Sequence, residues 1–209
     1  MSKPEQFTPR QEQGDPFEQQ REIFKKHFPD GSIETAALED IPTAALEAIE
    51  GRSRLLVLPE NYRPGNFKKL FVVAHAAGDR TFAAQQLKTY SATGDTEELT
   101  YLADVDDHEE LAGYGEIRLN ISNRDPYFKD KPFVGFTRTE AERQKRGFGE
   151  RRLRLMNALT RMLYDLPLHS DTLMTPEAKR LWEKLAGNSE ARKYLEGETV
   201  KNERFVFSD

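Results

Sequence analysis

Along the chain, apolar residues first fall into short runs and alternations, then into a spacing of three and four. Residues 1–15 are almost without them and rich in Gln, Glu, Pro and Gly, which predicts a flexible N-terminal arm. Phe17, Ile23, Phe24 and Phe28 stand among charges and predict a short helix over 17–28. Residues 32–38 predict a strand. Glu39-Asp40-Ile41-Pro42 then predicts a helix start, with Asp40 as cap, Ala45, Leu46 and Ile49 as the apolar face and Gly51 as the end. Residues 55–58 form an apolar run stopped by Pro59, and 61–66 read as a loop.

Strand signals dominate the middle. Residues 70–76 are a continuous apolar run closed by Gly78-Asp79, 82–90 fit either element, and Thr93-Gly94-Asp95 is a turn. Residues 99–105 and 114–121 predict strands; in the second, Ile117, Leu119 and Ile121 alternate with Glu116, Arg118 and Asn120. A polar loop over 123–132 precedes another strand at 133–139. The period then changes. Leu153, Met156, Leu159 or Thr160, and Leu163 predict a helix over 150–163 with one buried stripe. Leu168-His169-Ser170 fits a short strand. Thr175-Pro176-Glu177 has a hydroxyl cap, proline at the first position and an acid in the first turn, so a helix follows, with Ala178, Leu181, Trp182 and Leu185 as its apolar face and Gly187-Asn188 as its end. Residues 203–207 read as a last strand, and no internal repeat is visible.

Composition narrows the class. The 209 residues suit one domain behind the arm, 16–209, and at 37% hydrophobic the chain can bury an ordinary core. A net charge of -5 argues against bulk attraction to nucleic acid or anionic membranes. With no cysteine there is no disulfide, thiolate metal site or cysteine nucleophile. No leader-like segment and no apolar run of the roughly 18 residues a membrane span needs are present, so a cytoplasmic protein with no membrane partner is expected. The four histidines, His27, His75, His108 and His169, lack metal-ligand spacing, so no metal is expected.

The densest chemical signal is Gln144-Lys145-Arg146-Gly147-Phe148-Gly149, directly before the helix over 150–163. Two glycines one residue apart let a backbone approach a ligand closely, and the helix start offers unpaired N–H groups and positive dipole: a seat for a pyrophosphate. A dinucleotide fingerprint would need a third glycine where Arg152 stands, and no P-loop Gly-Lys-Ser/Thr occurs. Arg143, Lys145, Arg146, Arg151, Arg152 and Arg154 crowd the same stretch, either as a phosphate- or RNA-binding face or as a solvated helix face. In His169-Ser170-Asp171, strand neighbours point to opposite faces and cannot form a triad.

The order strand, glycine loop, helix, short strand, helix, terminal strand resembles the GCN5-related N-acetyltransferase (GNAT) family. That family marks its acetyl-CoA site with Gln/Arg-x-x-Gly-x-Gly/Ala, met here by Gln144, Gly147 and Gly149, and its next block has Ala, then Leu and Tyr, met by Ala178, Leu181 and Trp182. The resemblance covers roughly 32–207. It implies an α/β fold, a GNAT-like mixed and splayed sheet of about six or seven strands flanked by helices. It implies acetyl-CoA as co-substrate, with backbone groups of Lys145, Arg146, Gly147, Phe148, Gly149 and Glu150 on the pyrophosphate. Phe136, Thr137, Arg138 and Thr139 would pair with the pantetheine arm, and Trp182 would stand beside it. The activity implied is N-acyl transfer to an amine acceptor, small molecule or protein, which the sequence does not identify.

The proton carriers are less plain. Glu116 is the expected base, with Glu142 behind it. The family's acid is a tyrosine where this chain has Trp182, and indole is no acid at neutral pH, so Tyr164 or Ser170 is the expected donor. Trp182 also opens an alternative: a catalytically silent member that binds CoA or a protein partner. A basic-helix nucleic-acid binder is the third reading, and a homodimer is allowed. Acidic residues at 106–110 hint at a cationic acceptor.

Overall fold

A computed structural model describes residues 15–56, 67–76, 78–89, 94–121, 131–171, 173–196 and 202–208. The arm at 1–14, the stretch 57–66 with its proline stop and loop, Thr93 of the expected turn and most of the 123–132 loop lie outside them. Six strands form an antiparallel meander in chain order: β1 (Gly31–Thr35), β2 (Lys69–His75), β3 (Arg80–Thr89), β4 (Thr96–Val105), β5 (Leu111–Asn120) and β6 (Phe133–Thr139). A hairpin of β7 (Ala191–Glu196) and β8 (Asn202–Phe207) continues the layer through one residue. His169 bridges Phe133 in parallel and Val206 in antiparallel fashion. Beyond that contact β6 and the chain after His169 diverge. The result is the mixed, splayed α/β sheet expected, flanked by four helices: α1 (Pro16–His27), α2 (Thr43–Leu56), α3 (Phe148–Tyr164) and α4 (Pro176–Gly187).

Side-chain alternation explains the layering. Phe71, Val73, Ala83, Leu102, Ile117 and Val134 face the core shared by α1, α3 and α4, while Phe82, Ala84, Leu99, Tyr101 and Ala103 face Ala45 and Ile49 of α2. β3 is therefore buried on both faces, which is why 82–90 carries no period of two. The α3 stripe is wider than the spacing predicts. Leu155, Ala158 and Met162 join Leu153, Met156 and Leu159, since α1 covers the side turned from the sheet. Each large apolar side chain so buried contributes about 1.5–3 kcal/mol.

Local chemistry sets the ends. Thr175 Oγ1 accepts from Ala178 N at 3.2 Å with Pro176 at the first helical position, as predicted. Asp15 caps α1 through Phe17 N at 3.0 Å, a cap the arm reading passed over. α2 begins at Thr43, its first bond running from Leu46 N to Pro42 O, whereas Asp40 accepts from Ala37 N in a 3₁₀ turn over Leu38–Asp40. The strand expected over 32–38 stops at Thr35 for the same reason. Gly51 lies inside α2, which runs on to Leu56: its cost of about 1 kcal/mol against alanine is too small to end a packed helix.

Candidate functional site: a cleft at the start of α3

Three elements meet around a cleft of about 600 Å³: the end of β6, the loop into α3, and the first two turns of α4. Its walls include Thr137, Arg138, Thr139, Gln144, Lys145, Gly147, Phe148, Gly149 and Glu150, all expected there. Arg146 is not in its wall; its guanidinium stands 5.6 Å from the centre of the Phe148 ring. Arg143, Thr175, Glu177, Ala178, Leu181 and Lys184 complete the wall. Lys145 and Gly147 both adopt left-handed backbone, at φ 64° and 85°, which curls the loop back toward the helix. α3 starts at Phe148 with no side chain capping its first turn, whereas α1 and α4 are both capped. A Cβ on Gly149 would meet only Leu181 and Thr139, each at 3.7 Å, so the backbone there forms the cleft surface itself.

The cleft leads into a narrower slot of about 140 Å³, sharing Thr137, Thr175, Ala178 and Leu181 with it. The slot follows the outer edge of β6 from Thr137 to Val134 and is closed opposite by Asp171, Leu173, Met174 and Trp182. Among the described residues, only Phe133 of β6 has a strand partner on that edge. Gly135 lies where the β5–β6 register skips a residue. A Cβ there would fall 2.5 Å from Glu116 Oε1 and 2.6 Å from Arg118 Nε. Trp182 is buried at 2%, stacked on Phe205 with centroids 6.0 Å apart and set edge-on to Phe207 at 5.2 Å. It is at once core and slot wall.

A polar chain buried in the sheet supports the cleft from behind. Arg152 reaches Asp104 through Nε at 2.8 Å and Nη2 at 2.6 Å, and its Nη1 donates to Thr137 Oγ1 at 2.9 Å and Arg138 O at 2.8 Å. Asp104 also accepts from Thr81 Oγ1 at 2.7 Å, and Thr81 in turn meets His75 Nε2 at 2.8 Å. The single Thr81 hydroxyl proton is committed to Asp104, so His75 Nε2–H is the donor and Nδ1 is left bare and buried.

Burial, with Arg151 adding repulsion, lowers the His75 pKa to about 4. The unfolded chain takes up this proton near pH 6.5 and the folded one does not. Stability therefore falls as pH drops from about 6.5 to 4 and is flat above. The expected loss is about 2–3 kcal/mol. Carboxylates held low, such as Glu203 near 2 between Lys179 and Lys193, act only below their ordinary range. Melting temperatures measured between pH 4.5 and 7.5 should slope in the wild type and flatten in His75→Gln; equal slopes would remove His75 as the cause.

The other expectations scatter. Four of the six clustered cations are paired with acids: Arg143 with Asp106 and Glu110, Arg151 with Asp79, Arg152 with Asp104, and Arg154 with Glu150 and Glu190. That uses most of the charge a nucleic acid would meet, and takes Asp106 and Glu110 from the acidic loop thought to attract a cationic acceptor. Tyr164 is outside the cleft and slot walls. It accepts from Gln85 Nε2 at 3.1 Å on β3, and burial pushes its hydroxyl up to about 12. Glu116, wholly buried, accepts from Arg118 Nε at 2.7 Å and from Arg52 Nη2 at 2.9 Å, and is likewise in neither wall. Ser170, also buried, spends its hydroxyl oxygen on Phe205 N. The sequence missed Asp171, Leu173 and Met174 as slot residues, since no periodicity marks them.

The element order and, among the described residues, the open outer edge of β6 are those that the resemblance implies. No known family model matches the chain, and no curated protein matches it. Among solved structures it is similar to a Bordetella pertussis protein assigned to the GnaT-family acetyltransferases, at 14% identity and a TM-score of 0.37. That match covers 52% of this chain and 64% of the other. It is also similar to an acyl-CoA N-acyltransferase from Pseudomonas aeruginosa, again at 14% identity and a TM-score of 0.37, over 86% of this chain and 99% of that one. Among the described residues no helix is long and apolar enough to cross a membrane.

Proposed function

We propose that the chain binds a CoA thioester, acetyl-CoA in the simplest case, and transfers its acyl group to an amine. The observation that carries this is the continuity of an uncapped helix start with a slot along an open strand edge. A pyrophosphate fits the N–H groups of the first turn of α3, with Lys145 and Lys184 beside it. An extended pantetheine amide chain fits the outer edge of β6 beyond its bridge to His169, where among the described residues no strand pairs with it. Its thioester then reaches the far end of the slot, at Val134 and Gly135. Attack by a neutral amine on the thioester carbonyl forms the C–N bond, and the C–S bond breaks to release CoA thiol.

The test begins with binding. Acetyl-CoA at about 100 times its Kd should add about 2.7 kcal/mol of stability and raise Tm by roughly 5–10 °C. Gly149→Asp should fold, given the 3.7 Å clearance, and should lose the shift because a carboxylate occupies the phosphate seat. Thiol release on adding an amine panel then reports transfer. If saturating CoA and acetyl-CoA leave Tm unmoved, the proposal fails. A second reading, CoA binding without transfer, is favoured by Trp182 at the family's tyrosine position; it gives the shift without thiol release.

A further inference from the structure

Resting on the CoA-thioester reading, we infer that Glu150 and the ligand's pyrophosphate compete for the Lys184 ammonium. Lys184 passes from the carboxylate to the phosphate as CoA binds and returns as it leaves. The observation behind this is a carboxylate in the wall of the phosphate seat. Glu150 is the third residue of α3 and lines the cleft together with Lys184 of α4. An acid there suits the free chain, because no side chain caps α3 and the helix dipole favours negative charge at its start. For a phosphate it is the wrong charge: Glu150 repels the group that the N–H groups beside it attract.

The two partners of Glu150 are held with unequal firmness. Arg154, one turn further along α3, donates from Nη2 to Oε1 at 2.8 Å. It is clamped in turn by Glu190, which accepts from its Nε at 2.6 Å and its Nη2 at 2.9 Å. Lys184 donates from Nζ to Oε2 at 2.5 Å. Its side chain is 57% exposed, against 36% for Arg154, and its ammonium rides on a flexible stem. The Lys184 hydrogen bond, helped by Arg154, holds the Glu150 carboxyl below the ordinary carboxylate range.

Two acids and two cations thus balance at the start of α3, and Lys184 is the cation that can turn. When it does, Arg154 remains on Glu150, so no carboxylate is stranded. An exposed ion pair gives up its lysine at little cost, whereas an ammonium on a phosphate makes a charge-assisted bond. Lys184 is therefore a binding residue, and Glu150 sets how tightly it binds. The arrangement suits a transferase, whose product CoA carries the same pyrophosphate as the substrate and has to leave. A competitor built into the seat speeds that release.

Acetyl-CoA dissociation constants of four full-length chains test this: wild type, Glu150→Gln, Lys184→Met and the double variant. Glu150→Gln should tighten binding about two- to fivefold, the range of an exposed ion pair. Lys184→Met should weaken it about tenfold. The two effects should not multiply. In the Lys184→Met background, Glu150→Gln should tighten binding by less, since no ammonium is left to compete for. Urea unfolding of the same chains checks that all four fold and reads the Glu150–Lys184 coupling directly, present without ligand and reduced at saturating acetyl-CoA. Equal tightening in both backgrounds, a Glu150→Gln chain that binds no better than wild type, or a Lys184→Met chain that binds as well overturns this inference and leaves the CoA reading intact. A wild type that binds neither acetyl-CoA nor CoA overturns both.

Discussion

Arg152→Leu should lower the free energy of unfolding by about 3–5 kcal/mol, the range for removing one partner of a buried ion pair, and Tm by roughly 6–20 °C. Arg152 is 1% exposed and Asp104 likewise 1%, so water cannot replace what the leucine withdraws. The guanidinium holds Asp104, Thr137 and the Arg138 carbonyl at once, tying α3 to β4 and β6 behind the cleft. Space for it is cut into β5. A Cβ on Gly113 would fall 2.0 Å from Arg152 Nη2 and 2.5 Å from Arg138 O, and one on Gly115 would fall 2.6 Å from Met156 Cε. The loss should be partly recovered in the double variant with Asp104→Val, which removes the stranded carboxylate, so a double-mutant cycle in urea separates the pair from the packing. A single variant within about 1 kcal/mol of wild type would mean that the pair does not hold these elements.

The same residue shows how far the sequence could be read. Periodicity and punctuation reveal elements because their physics is local: Thr175-Pro176 starts α4 wherever it stands, and Ile117, Leu119 and Ile121 alternate whatever covers them. Arg152 counted with the basic stretch because its partner, Asp104, lies 48 residues away. A legible clue existed in the sequence Leu-Ala-Gly-Tyr-Gly-Glu over 111–116. Two glycines on one face of a strand signal that something presses close. β7 was passed over because Ala191–Glu196 alternates Arg, Tyr and Glu with Ala, Lys and Leu, a pattern too polar to mark a strand on its own. It is held by pairing with β8. The cleft was legible because its signature, paired glycines before a helix, is as local as a cap.

Glu116→Gln is the second large effect, an expected loss of about 3–5 kcal/mol. The carboxylate is wholly buried and met from two sides. Arg118 approaches Oε1 with Nε at 2.7 Å and Nη2 at 2.6 Å; Arg52 approaches Oε2 with Nε at 3.2 Å and Nη2 at 2.9 Å. An amide keeps one acceptor and turns two donors toward a guanidinium, so one arginine is left facing N–H groups in the protein interior. Arg52 also stands 4.4 Å from the centre of the Phe136 ring, and its release would loosen α2 from β6 as well. A base needs a lone pair open to the acceptor, and here both oxygens already accept. We therefore expect Glu116→Gln to melt early while its folded fraction releases thiol at the wild-type rate. Wild-type stability with thiol release abolished would reverse that assignment, making Glu116 the base and the two arginines its tuning charges. Gly135 sharpens the choice. It gives the carboxylate room at the register skip, so Gly135→Ala should destabilise in the same direction by crowding Glu116 Oε1 and Arg118 together.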